Sequence, residues 1–543
     1  MLVVSEATKT VFFVPEYPDS KVLRRLFWYL DNPKGDINNA MASRHFGKRA
    51  KYKIIPFADV DLTGKEEYAK VALVVGPARA LSQLWRLHSR VKPKWRPEEA
   101  ELLASAGLAN APDFRSFIEN IDGYAKAMFR VREGLDMLTT TLGEDPSYFD
   151  AIIRLDEDGA FEAYLKSKTD IELPKENFTL KYELPEIISP KDVEIIGKIV
   201  EKDYAFLQDA CEMPEKILSD AADRYVKAAK NIPEFVRHDH KPSDEFHVVI
   251  IIMDTPEVAK QFVNYYAAVG ASKIHMYFDN PDDPAIDMVK DHPQVNAIAC
   301  NDDFWQGKRK YAVEGRQSHV YTHAYNTMER GWLLTVDADE FVVADKPLPE
   351  LFASMPEDAR VVRFDSTEAV WKLENSSVEP FSADFVRHQV SQGGWRSIAK
   401  LKDPAVRSMF RRGLLAHRSG KYAVRVGTDV SRLSLHRVFF NDRYNSMHPP
   451  KEHPRGKLIH FDAISFGHWK TKFVRRISKG HGFAGFGPGR DVQHAGMRKV
   501  SEDDYEEFHN NLYKISQDEQ DLQANLKSIT RLRIFEDLPD YFE

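Results

Sequence analysis

The sequence predicts an α/β protein whose mostly parallel sheet, flanked by helices, follows a largely helical α/β N-terminal region. Three observations predict it. From Phe246 onward, strand-like apolar runs alternate with amphipathic helical stretches, the pattern of βαβ units in a parallel sheet. Ahead of them, Asn231-Ile232-Pro233 through Lys241-Pro242-Ser243-Asp244 is polar and proline-punctuated, as linkers are. A chain of 543 residues also exceeds what one core fills. The expected division is therefore an accessory domain over residues 1–240, a second domain over 245–490 and a helical tail over 491–543.

Composition narrows the function classes. With 43% hydrophobic and 29% charged residues the chain reads as an ordinary globular protein. Its net charge of −7 gives no global attraction for nucleic acid, so any anion site is local. Cys211 and Cys300 are far apart and lack metal-ligand or redox spacing, which suits buried thiols in a reducing compartment. The N-terminus has no basic segment followed by a long apolar run, and nothing approaches the roughly 18 to 20 apolar residues of a bilayer span. A cytoplasmic location is expected, with peripheral membrane contact left open.

In the first half, Val11–Val14, Tyr52–Phe57 and Val71–Val75 have the apolar character of short buried strands. Phe117 to Leu142 carries Ile121, Tyr124, Met128, Val131 and Leu135 at helical spacing, and Val193 to Lys230 reads similarly with a break near Met213-Pro214. No chemical motif appears here, and an accessory or homo-oligomerisation role is the expectation, with acceptor binding as the alternative. In the second half, Phe246–Met253 reads as a strand. Pro256–Val269 reads as a helix ending at Gly270, and Lys273–Phe278 as the next strand. Ligands of such sheets sit off the carboxyl ends of the strands, which places Asp254, Asp279 and the acids after Val336 on one rim.

Gly331–Val336 is apolar enough for a central strand, and it delivers Asp337, Asp339 and Glu340 at its end. Carboxylates beside an apolar strand resist desolvation unless compensated. A hard divalent cation, Mn²⁺ or Mg²⁺, supplies compensation through oxygen ligands and keeps positions open for phosphates. A solvated acidic turn is the competing reading for Asp337-Ala338-Asp339, and also for Asp279-Asn280-Pro281-Asp282-Asp283.

Taken in order, these pieces resemble the GT-A glycosyltransferases of the family-2-like group. The residues that carry the resemblance are Tyr265-Tyr266 with Val269-Gly270, then Asp279-Asn280-Pro281-Asp282-Asp283, then Gln317, then Trp332 through Asp337-Ala338-Asp339-Glu340-Phe341, then His468-Trp469-Lys470-Thr471-Lys472. They span residues 245–490, less than half of the chain. Two features depart from the family pattern. Asp254-Thr255-Pro256-Glu257 stands where an Asn-Glu pair is common, and the tryptophan of the first helix is absent.

The resemblance implies transfer of a sugar, generally with inversion, from a nucleotide-sugar donor to a glycan, lipid-linked or protein acceptor. It implies that Asp337 reaches ribose or metal, that Asp339 is the main metal ligand and that a C-terminal histidine is the third. His468 occupies the motif position, and His460 is its rival. Asp254, Asp279, Asp283 and Gln317 are the candidate nucleotide-sugar contacts, with Lys470 and Lys472 neutralising the diphosphate. Arg475, Arg476 and Lys479 extend that basic face. Gly480–Arg490, with five glycines in eleven positions, reads as a flap or a connector. A strand over Arg360–Phe364 is expected to end in Asp365, the candidate base, with Glu368 as the alternative. The competing functions are a metal-dependent nucleotidyltransferase and a non-catalytic scaffold binding carbohydrate or a protein partner.

Overall fold

A computed structural model describes residues 2–15, 62–89, 97–135, 137–171, 183–207, 213–307, 313–375, 379–416, 419–441, 456–478 and 498–542, with Phe27, Leu30, Cys211 and Gly496 placed singly. The expected strand Tyr52–Phe57 and the segment Gly480–Arg490 lie outside the described residues. The chain divides into two compact units, Met1–Lys227 and Ala228–Glu543.

The first unit is built on four strands, β1 (Leu2–Ser5), β2 (Thr10–Phe13), β3 (Ala69–Val74) and β4 (Ala151–Arg154), in that spatial order. β1 pairs antiparallel with β2, and β2, β3 and β4 run parallel. Side chains alternate across the sheet, as the two-residue period of a strand requires. Val11 and Phe13 enter one core while Phe12 and Val14 enter the other. The helical stretch expected over Phe117–Leu142 is broken into short helices, Phe114–Glu119, Ile121–Ala127, Phe129–Gly134 and Met137–Leu142. At the carboxyl ends of β3 and β4, Glu215 and Asp156 accept the backbone N–H groups of Ala78 and Gly76, at 2.9 and 3.1 Å. Arg154 bridges both carboxylates. The unit's own side chains thus fill the place where such sheets receive ligands.

The second unit carries the remaining strands. They are β5 (Glu234–Val236), β6 (Phe246–Ile252), β7 (Ile274–Phe278), β8 (Val295–Ala299), β9 (Trp332–Thr335), β10 (Glu340–Ala344) and β11 (Val361–Lys372). Then follow β12 (Phe385–Arg387), β13 (Lys421–Arg425), the hairpin of β14 (Val430–Leu433) with β15 (Val438–Phe440), β16 (Gly456–His460), β17 (Lys514–Ile515) and β18 (Ile529–Arg533). The sheet order is β5-β18-β12-β11-β13-β9-β6-β7-β8. Its centre, β9-β6-β7-β8, is parallel, and β13 joins β9 antiparallel. A short branch places β10 antiparallel to β16, which runs parallel to β11.

Helices flank this sheet. The expected helix, α1 (Pro256–Ala268), stops before Gly270, whose φ of 89° suits the left-handed turn. Val248, Ile250 and Ile252 face one core, while Val249 and Ile251 face another that contains Val320, Tyr321 and Ala324 of α2 (Val313–Thr327). Two expectations change. The strand expected to end before Asp365 runs on to Lys372, because Ser366, Thr367 and Glu368 are buried in the sheet rather than turned to solvent. Residues 491–543 do not form a purely helical tail either, since β18 is hydrogen-bonded between β12 and β5. Among the described residues, no helix is long and apolar enough to cross a membrane.

Candidate active site at the carboxyl ends of the parallel strands

β9 ends at Thr335, and Asp337-Ala338-Asp339 forms the turn into β10. Local bonds fix this turn. The Asp337 N–H donates to Glu340 Oε2 at 2.8 Å, and the Glu340 N–H donates to the Asp337 carbonyl at 3.1 Å. Helix α1 secures the strand that follows. The Tyr266 hydroxyl donates to the Glu340 carbonyl at 3.0 Å and accepts from the Val342 N–H at 3.2 Å, while the Tyr265 hydroxyl donates to the Val342 carbonyl at 2.8 Å. Tyr265-Tyr266 therefore braces the acidic turn from beneath. Trp332 is core: it stacks on Phe352 and lies under Arg425.

Each aspartate has its own lysine. Lys421, fully buried on β13, meets Asp337 Oδ2 at 2.9 Å and Glu340 at 3.4 Å. The other Asp337 oxygen accepts from Gln317 Nε2 at 2.9 Å and from the Tyr321 hydroxyl at 3.3 Å, one helical turn apart on α2. Burial, then the neighbouring Glu340 and Asp339 charges, push the Asp337 carboxyl above its usual range against the pull of Lys421. Burial opposes the Lys421 charge, but Asp337 and Glu340 outweigh it and raise its pKa.

Asp339 is held from a helix and a strand. Lys472, on α3 (Phe466–Ser478), meets Asp339 Oδ2 at 3.0 Å and Asp462 Oδ1 at 3.5 Å. His460 Nε2, at the end of β16, lies 3.7 Å from the same Asp339 oxygen. The Phe461 N–H donates to the Asp339 carbonyl at 2.8 Å, locking β16 against the turn. Burial would raise the Asp339 pKa, yet Lys472 and His460 hold it well below the usual carboxylate range. Burial likewise opposes a charge on His460, and Asp339 overcomes it, lifting the imidazole to about 9.

The remaining predicted residues fall into other roles. His468 Nε2 lies 3.1 and 3.2 Å from the two oxygens of Asp254, at the end of β6, so His460 and not His468 is the histidine beside Asp339. Asp279, at the end of β7, is paired with Arg316 of α2 at 3.1 Å. Asp283 accepts the Ala285 N–H at 2.9 Å in the turn ahead of the short helix Ala285–Val289. Lys470 turns to Glu502 at 3.4 Å and to the ring of Tyr505. Asp365 is 46% exposed and pairs with Lys457 and Arg363. Glu368 is 1% exposed, ion-paired with Arg387 at 2.7 Å, and accepts the N–H groups of Leu415 and Ala416. Its oxygens are consumed by the protein, which corrects the expectation that it serves as a base.

Lys421, Tyr321, Asp462 and Arg316 also belong to the site, and no motif in the sequence marks them. Lys421 has a signal, a charge that opens the strand-like Tyr422-Ala423-Val424 run and needs a counter-charge if the strand is buried. Tyr321 follows Gln317 by one helical turn. Among the described residues no three His, Cys, Asp or Glu side chains converge closely enough to enclose a metal by themselves. Asp339 and His460 nevertheless stand side by side as ligands, the imidazole once it gives up the proton that Asp339 holds on it. That set suits a cation whose other positions belong to phosphate oxygens and water, since Mg²⁺ is usually held by one or two carboxylates plus substrate phosphates. No protein-family model matches the chain, and no curated protein matches it.

Proposed function

We propose that residues 228–543 are a GT-A-type glycosyltransferase that moves a sugar from a nucleoside-diphosphate donor to an acceptor hydroxyl. The observation that carries this reading is the acidic turn at the carboxyl end of β9, where Asp339 lies beside both His460 and Lys472. Asp339 and His460 would hold Mn²⁺ or Mg²⁺. When bound, the cation stabilises the charge that develops on the departing diphosphate.

The chain's own groups do the positioning. Gln317, Tyr321 and Lys421 fix the Asp337 carboxylate from three sides, so that it meets a donor hydroxyl without having to reorganise. Tyr266 fixes the backbone of the turn. His468 and Lys472 stand four residues apart on α3, which places them on one face of that helix above the strand ends. Asp254 and Asp279, at the ends of β6 and β7, border the same rim of the sheet. That is where open α/β sheets take nucleotides.

The test is to incubate the full chain with Mn²⁺ and a panel of nucleotide-sugars and to measure free nucleoside diphosphate. Metal-dependent release that disappears in Asp339→Asn supports the reading. Pyrophosphate released from a nucleoside triphosphate would point to nucleotidyl transfer. Absence of both products would favour a binding scaffold.

A further inference from the structure

We propose that Lys472 is an internal counter-cation that occupies the place of the divalent ion at Asp339, so that the metal and the Lys472 ammonium compete for one carboxylate oxygen. The proposal rests on the cation-assisted reading above and concerns how that site is kept before the donor arrives. Lys472 Nζ lies 3.0 Å from Asp339 Oδ2, the oxygen that also faces His460 Nε2 at 3.7 Å. Asp339 and His460 would hold the cation from the side of that same oxygen, which the Lys472 ammonium already occupies. A divalent ion held there displaces the proton of His460 and repels the Lys472 ammonium, because like charges at such a separation repel strongly in a buried site.

The surroundings give Lys472 somewhere to go. Its ammonium already lies within 3.5 Å of Asp462 Oδ1 and 3.4 Å of the Asp462 carbonyl. A small swing of its flexible stem therefore exchanges one carboxylate for another without leaving the charge unpaired. Asp462 is itself fixed by the Tyr513 hydroxyl at 2.5 Å. On the Asp337 side Lys421 also touches two carboxylates, Asp337 and Glu340, but it is fully buried, whereas the Lys472 side chain is 17% exposed and borders the rim. The two lysines thus differ. Lys421 is permanent structure, and Lys472 is exchangeable. Entry of the ion releases the Lys472 ammonium toward Asp462 and the rim, where an arriving diphosphate supplies negative charge.

The experiment is Mn²⁺ binding to the full chain without nucleotide, read by the electron paramagnetic resonance signal of free Mn²⁺. Wild type, Lys472→Met, Lys472→Gln and Asp339→Asn are compared, each checked for folding by circular dichroism. Lys472→Gln keeps a hydrogen-bond donor and removes the charge, which covers the case in which methionine disturbs the helix. Removing the competitor should tighten Mn²⁺ binding by about tenfold, the order of the cost paid when an occupant must first be displaced. Asp339→Asn should bind least. Equal or weaker binding in both folded Lys472 variants, with wild type still binding through Asp339, overturns the competition and leaves the glycosyltransferase reading standing. No Mn²⁺ bound by any variant, even with added UDP or GDP, overturns both.

Discussion

Replacing Lys421 by methionine leaves Asp337 and Glu340 facing one another in the sheet with no cation between them. Lys421 is fully buried and touches both carboxylates. Loss of one partner from a buried ionic cluster costs about 3–5 kcal/mol. Lys421→Met should lower the urea midpoint accordingly, and adding Glu340→Gln to it should restore part of the loss. A variant as stable as wild type would show that Lys421 does not balance these acids. At this scale the sequence made the acids legible, because charge at the end of an apolar strand is costly without compensation. It left the histidine open. His460 and His468 each lie more than a hundred residues from Asp339, and the choice depends on the pairing of β10 with β16, which no local pattern encodes.

Among the elements, α1 and β11 teach opposite lessons. The α1 pattern was readable from its apolar face and its terminal glycine, but the duty of its tyrosines was not. Tyr266 makes two hydrogen bonds to β10, through the Glu340 carbonyl and the Val342 N–H. Tyr266→Phe removes the hydroxyl and leaves buried backbone groups unpaired, a cost of about 1–3 kcal/mol. Thermal unfolding should show the loss, and diphosphate release should fall with it because the acidic turn loses its brace. In β11 the sequence is misleading, because Asp365 and Glu368 look like a strand end. The strand continues because Arg387 neutralises Glu368 inside the sheet. Glu368→Gln should therefore destabilise the fold, again by about 3–5 kcal/mol. Denaturant titration checks this, and an unchanged midpoint would return Glu368 to the list of exchangeable groups.

For the molecule as a whole, the C-terminal residues are structural members of the second unit. β18 pairs with β12 and β5, and Lys402 is buried against Glu519 at 2.8 Å. A chain ending at residue 490 should lose the second unit's share of the near-ultraviolet circular dichroism, whereas a native spectrum would show that β18 is dispensable. The extent of this unit is not legible in the sequence because its closing contacts join β18 to strands about 140 and about 300 residues away. Acid should also destabilise the fold. Burial is the leading cause that pushes His275 and His509 down to about 4. In the unfolded chain they titrate near 6.5, so between these values the unfolded state binds more protons. Their contribution is complete above about pH 6.5 and fades as pH falls through 4. Urea midpoints should drop over that window, and less so in His275→Gln. The central claim, a cation-assisted diphosphate site at Asp339, is tested most directly by calorimetric titration of UDP and GDP into the full chain with and without Mn²⁺. The account predicts heat of binding only with Mn²⁺ and its loss in Asp339→Asn. Binding that persists with a chelator, or that ignores the substitution, would contradict it.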